Sequence, residues 1–169
     1  DNTHIDSVGQ KMANLGEMKN ILGLNVPDGF VFTACAFESF FNHNDLQTEI
    51  YRLFKTSFSN DIKQAHIFSS KIQQIIINAE IPLELKTAVE KAIQQLTTDN
   101  NQKMTLALRS SSLMEDMVNA SFAGQYKSLL NISVQNIFQA YKEVIASKYS
   151  TTAIQYRLNR GLKDEDTAM

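Results

Sequence analysis

A helix-rich α+β fold around a small, mainly antiparallel sheet is what this sequence predicts, on three observations. Apolar residues recur at helical spacing through most of the chain. Only three stretches, near residues 30–32, 104–109 and 126–132, are short and apolar enough between turn residues to read as strands. The last two are separated by a polar loop, which suits an antiparallel pair. With 169 residues and 43% hydrophobic content, the chain can bury one genuine core, and one domain over residues 1–169 is the expectation.

From the N-terminus, Leu15, Met18 and Leu22 lie at helical spacing after Gly9, and Gly23 stands where a helix C-cap belongs. Asn25 to Thr33 reads as a Pro-Asp-Gly turn entering a strand at Phe30 to Phe32. From Ala34 to Phe54, phenylalanines and branched aliphatics predict two helices broken near Asn42 to Asp45. Ser59, Asn60 and Asp61 offer caps for a long helix lined by Ile62, Ala65, Ile72, Ile75 and Ile76.

Pro82 suits the first turn of the next helix, whose stripe is Leu85, Val89, Ile93 and Leu96. TTDNNQ is then a loop, Met104 to Arg109 a strand, Ser110 to Ala120 a run of turns, and Tyr126 to Ile132 a second strand. Ser133 caps a helix with Ile137, Ala140, Tyr141, Val144 and Ile145 on one side, and a last helix runs from Thr152 to Leu162. The final KDEDTAM adds no apolar element, so the chain is expected to be a fragment of a longer protein.

Charge and composition exclude several functions. A net charge of -2 gives no broad basic field for nucleic acid, so any anion site must be focal. The single cysteine, Cys35, cannot form an internal disulfide and fits a reducing cytoplasm. His4, His43 and His66 are too scattered for a metal signature. No apolar run reaches membrane-spanning length.

One stretch concentrates chemistry. Met104 to Gln125 ends a strand on Arg109 and follows it at once with Ser110, Ser111 and Ser112, putting fixed positive charge beside hydroxyl donors as an oxyanion site requires. An ordinary turn in which Arg109 pairs with Glu115 or Asp116 is the competing reading, and composition alone favours it. Lys11 in a helix's first turn, where the dipole is positive, is a second invitation to an anion. A solvated lysine on an amphipathic helix is the commoner case.

Three segments together resemble a known family: VGQKMANLGEM (8–18), VPDGFVFTACAF (26–37) and LRSSSLMEDMVNASFAGQ (108–125), with AIQYRLNRG (153–161) as a weaker fourth. They are similar to the N-terminal nucleotide-binding domain of the phosphoenolpyruvate synthase and pyruvate phosphate dikinase family, in its order and spacing, with the water-dependent synthases nearest. The resemblance implies the first lobe of an ATP-grasp-type fold in a multidomain protein. It implies phosphoryl transfer from ATP to a histidine on another domain and on to pyruvate. It further implies that this chain alone is inactive, and that the Mg2+ ligands and adenine-gripping segment lie outside it.

By the same resemblance Lys11 and Arg109 contact ATP phosphates, and Gly124, Gln125 and Ser128 belong to the loop that covers the nucleotide, Ser128 standing where a threonine is usual. ATP and the phosphohistidine and pyruvate-binding domains of the full-length protein are the implied partners. This sequence departs from the family pattern at Met12, Leu113, Met114, Val118 and Thr152, the last replacing an arginine. These departures keep two alternatives open: a rifampin-type antibiotic phosphotransferase, which shares the motifs, and a non-catalytic binding module.

Overall fold

The computed structural model describes residues 5–57, 62–97, 104–110, 116–117, 120–121 and 126–159. Five helices come first: α1 (Ile5–Asn20), α2 (Ala34–His43), α3 (Leu46–Ser57), α4 (Ile62–Asn78) and α5 (Leu83–Leu96). Then follow β1 (Thr105–Arg109), the short β2 (Asp116–Met117) and β3 (Ala120–Ser121), and β4 (Ser128–Ser133). A 3-10 turn, Val134–Asn136, leads into α6 (Ile137–Ser147) and α7 (Thr151–Asn159). The predicted class, α+β with a small antiparallel sheet, is the observed one: β4 pairs antiparallel with β1, and β3 with β2.

Among the described residues, two core clusters account for the arrangement. The larger is built by Phe37, Phe40 and Phe41 of α2, Ile50 of α3, Phe68, Ile72 and Ile76 of α4, and Tyr141, Ile145 and Tyr149 from α6 and its C-terminal corner. The phenylalanine-rich α2 buries its rings because residues 37, 40 and 41 share a helix face, and Phe37 stacks on Phe41 at 4.1 Å. The smaller cluster joins Val89 and Ile93 of α5 to Ile137, with Leu106 of β1 packed against it. Leu108 packs on the larger cluster instead, so β1 spans both.

Polar side chains fix the corners. Asn44 donates from Nδ2 to the carbonyls of Phe40 (2.9 Å) and Glu80 (2.8 Å), and its Oδ1 accepts from the Glu80 N–H (2.9 Å), joining the end of α2 to the α4–α5 connection. Ser69 on α4 donates to the Tyr149 carbonyl (2.6 Å), and Arg157 on α7 donates to the neighbouring Lys148 carbonyl (2.5 Å). Two consecutive carbonyls at the α6–α7 corner are thus satisfied by side chains from different helices. The Tyr141 hydroxyl is buried with no hydrogen-bond partner among the described residues, and burial pushes its pKa well above the ordinary phenol value.

Several expectations need correction. Residues 24–33 form no strand: Phe30 and Phe32 pack as a connecting segment, Phe32 stacking on Tyr141 at 4.2 Å, so burial of aromatic rings rather than a ladder explains their spacing. Leu15, Met18 and Leu22 are exposed, while Ala13 is buried. Pro82 is the N-cap of α5 rather than its first residue, and Ser133 stands at the N-cap of the 3-10 turn that leads into α6, whose own N-cap residue, Asn136, makes no side-chain cap bond. The break between α2 and α3 falls at residues 44–45 as the sequence predicts.

Gly23 does end the first helical stretch, at φ 62, with the Leu24 N–H reaching back to the Met18 carbonyl at 2.9 Å. The caps expected at residues 59–61 and the loop at 98–103 lie outside the described residues. So do residues 111–115, 118–119 and 122–125, where the sequence predicts turns, and the chain from residue 160 onward.

Candidate nucleotide-phosphate site

Arg109 is the last residue of β1, and Ser128 the first of β4; the two are cross-strand partners in the antiparallel ladder. Both are exposed. The placement follows from the strand period. Leu106 and Leu108 turn inward to the two clusters, which sends Thr105, Ala107 and Arg109 outward. A guanidinium with five donors beside a hydroxyl, on the rim of a ribbon whose other face is packed, can bind an oxyanion without a buried charge to compensate. Ser110, directly after Arg109, is buried.

Lys11 lies in the second turn of α1, a helix that packs on α2 and through it on the core. Its side chain is outside what the structure describes, as are Gly124 and Gln125. Of the five residues singled out in the sequence, the structure therefore brings Arg109 and Ser128 together. Among the described residues, no group of three or more His, Cys, Asp or Glu side chains is disposed to hold a metal ion. No described helix is long and apolar enough to cross a membrane.

The stem of β4 is held from α6. The Lys127 backbone N–H donates to Ser147 Oγ (2.9 Å), whose hydroxyl donates to the Val144 carbonyl (2.6 Å). Lys127 Nζ meets the Glu143 carboxylate at 2.7 Å, and this bond holds the Glu143 carboxyl below the usual carboxylate range. Sequence reading missed this attachment, because residues 127, 143 and 147 carry no motif and meet only through the packing of α6 on β4.

Two positively charged residues near the C-terminal end have structural roles. Lys148 (2% exposed) sits with Nζ 5.4 Å from the Phe37 ring centre and 5.3 Å from that of Tyr149. Arg157 (3% exposed) places its guanidinium 5.5 Å from the same Tyr149 ring while bonding the Lys148 carbonyl. Arg157 is thereby committed to the α6–α7 corner, and Thr152 faces solvent on α7.

With this geometry in place, comparison with known proteins decides the family. Residues 5–169 match the model of the pyruvate phosphate dikinase, AMP/ATP-binding domain. The chain belongs to that family. Phosphoenolpyruvate synthase of Escherichia coli K12 is 37% identical over 169 residues, covering 98% of this chain and 21% of the relative. The Pseudomonas aeruginosa phosphoenolpyruvate synthase is 35% identical with the same coverage. A probable phosphoenolpyruvate synthase of Methanocaldococcus jannaschii is 36% identical over 95% of this chain and 14% of its own length.

The chain therefore spans about a fifth of the length of these Escherichia coli and Pseudomonas aeruginosa relatives. Membership in an AMP/ATP-binding domain family makes this chain the nucleotide-binding module of a phosphoenolpyruvate synthase- or dikinase-like protein.

Proposed function

We propose that this chain is the phosphate-gripping first lobe, of ATP-grasp type, in an ATP-dependent dikinase that passes phosphoryl groups from ATP to a histidine on another domain and on to pyruvate. The observation that carries the reading is the pairing of exposed Arg109 with exposed Ser128 at the rim of the β1–β4 ribbon, in a domain of an AMP/ATP-binding family. The names of the relatives, phosphoenolpyruvate synthases from bacteria and archaea, support the choice of reaction.

In this reading Arg109 and Lys11 neutralise phosphate charge, which is the protein's main contribution to phosphoryl transfer. Ser128 adds a hydroxyl donor, and Gly124 and Gln125 supply backbone amides against the phosphates. Mg2+ is held by carboxylates of the longer protein, together with the adenine site. Pyruvate and the phospho-accepting histidine belong to other domains of the same polypeptide.

The test is Arg109→Ala and Lys11→Ala, each in the full-length protein. Each variant is expected to lose ATP-dependent phosphoryl transfer by about two to three orders of magnitude, the scale of removing one charge-stabilising donor. Circular dichroism and the melting temperature are expected to stay at parental values. Parental turnover in both variants rejects the assignment.

A further inference from the structure

The β1–β4 ribbon is not a regular ladder. Thr105 pairs with Ser133 and Leu106 with Ile132, yet Leu108 pairs with Leu129 and Arg109 with Ser128. Two steps along β1 are thus matched by three along β4, so β4 carries one extra residue, a bulge. Within it Asn131 has φ 55, the left-handed region that asparagine enters more readily than other non-glycine residues.

The extra residue decides which side chain meets Arg109. Continuing the Leu106–Ile132 pairing without a bulge brings Leu130 opposite Leu108 and Leu129 opposite Arg109. Burial does not forbid that alternative, since either of two adjacent leucines can fill the inward position. In the observed register Leu129 is partly buried and Leu130 is 63% exposed. A one-residue slip normally exposes a whole hydrophobic set and is penalised for it. Here the Leu129-Leu130 repeat removes that penalty at the point where the register matters.

We infer that Asn131 is a positioning residue: its left-handed bulge selects the register that sets Ser128, rather than Leu129, across from Arg109. This rests on the reading of Arg109 and Ser128 as phosphate-binding residues. The other end of the strand agrees with it. Lys127 is tied to α6 at two points, through Ser147 and Glu143, and a slip of one residue displaces it by about 3.4 Å, which breaks both bonds. Bulge and attachment fix the same register from opposite ends of Ser128.

The register can be read without ATP. In full-length protein carrying Cys35→Ser, the pair Arg109→Cys and Ser128→Cys is expected to form a disulfide on mild oxidation, Cys35 being exposed and best removed. Adding Asn131→Val, whose β-branched side chain disfavours positive φ, is expected to slow cross-linking by about ten-fold. Adding Asn131→Gly, which keeps the left-handed conformation open, is expected to leave the rate within about two-fold. Equal cross-linking in the valine and glycine backgrounds overturns the inference.

Kinetics give the second readout. Asn131→Val is expected to raise the KM for ATP by about ten-fold, with Asn131→Gly restoring it. Deleting Asn131 altogether yields an unbulged ladder in which Ser128 still faces Arg109, so the deletion is expected to keep KM within about three-fold of the parent. A deletion more damaging than Asn131→Val contradicts the register argument. The underlying phosphate reading fails separately, if Arg109→Ala turns over normally while the cross-linking pattern holds.

Discussion

The helical core and the β1–β4 ribbon are built on opposite terms. In the core, specificity is spread across many aromatic and aliphatic contacts among α2, α3, α4 and α6, and each residue is held by several neighbours. In the ribbon, one face is packed, and the pairing of Arg109 with Ser128, which we propose grips phosphate, hangs on one bulge and one attachment to α6. The core is redundant and the ribbon is not. A substitution in the first should therefore be felt as stability, and in the second as activity.

The largest expected effect lies in the core. Ile72, fully buried on α4, faces the packed centre, and Ile72→Ala is expected to cost about 2–5 kcal/mol from lost transfer energy and the cavity left behind. Chemical denaturation measures this. A loss below about 1 kcal/mol would mean that the core collapses around the gap and that its contacts are less specific than the contrast claims.

Next comes the corner at Asn44, whose amide makes three hydrogen bonds to backbone groups of Phe40 and Glu80. Asn44→Ala hands the exposed Glu80 N–H and carbonyl over to water and is expected to cost about 0.5–1.5 kcal/mol, the net worth of ordinary hydrogen bonds. Hydrogen exchange sharpens the comparison: the α4–α5 connection should lose protection while the ribbon keeps it.

The smallest stability effect belongs to the ribbon's attachment. The Lys127–Glu143 pair is partly exposed on both sides, so Glu143→Gln is expected to cost only about 0.2–1 kcal/mol at neutral pH. The sign of its pH dependence follows from the direction of the shift. The Glu143 carboxyl is depressed in the folded protein, so its contribution is complete above the ordinary carboxylate pKa and fades as pH falls through the depressed value. Denaturation curves of parent and Glu143→Gln should separate at pH 7 and converge in strong acid. If the gap instead widens in acid, the carboxylate is not what Lys127 holds.

The two regions also differed in how far the sequence disclosed them. The breaks between α2 and α3 and the extents of α4 and α5 follow from helical periodicity, because a buried helix face needs apolar residues every three or four positions. Phe30 to Phe32 misled because an aromatic run that packs as a connection has the same composition as a strand. Leu15 and Met18 misled in the opposite sense: they keep helical spacing on a face that stays exposed, since periodicity states which residues share a side and not what lies against it. The antiparallel β2–β3 pair, two residues per strand, is too short for any period to register.

By itself, then, the sequence determined the α+β class, most helix limits, the antiparallel pairing of the two later strands and, through its resemblance, the family and the candidate residues Lys11, Arg109, Gly124, Gln125 and Ser128. Those are local properties, carried by spacing and by motif. Tertiary structure decided that Arg109 lies opposite Ser128, that Lys127 is tethered by Ser147 and Glu143, and that Arg157 is committed to the α6–α7 corner. The physical reason is register. Leu129 and Leu130 are equivalent to any pattern of apolar residues, and only the chain's path through Asn131 and its attachment to α6 tells them apart.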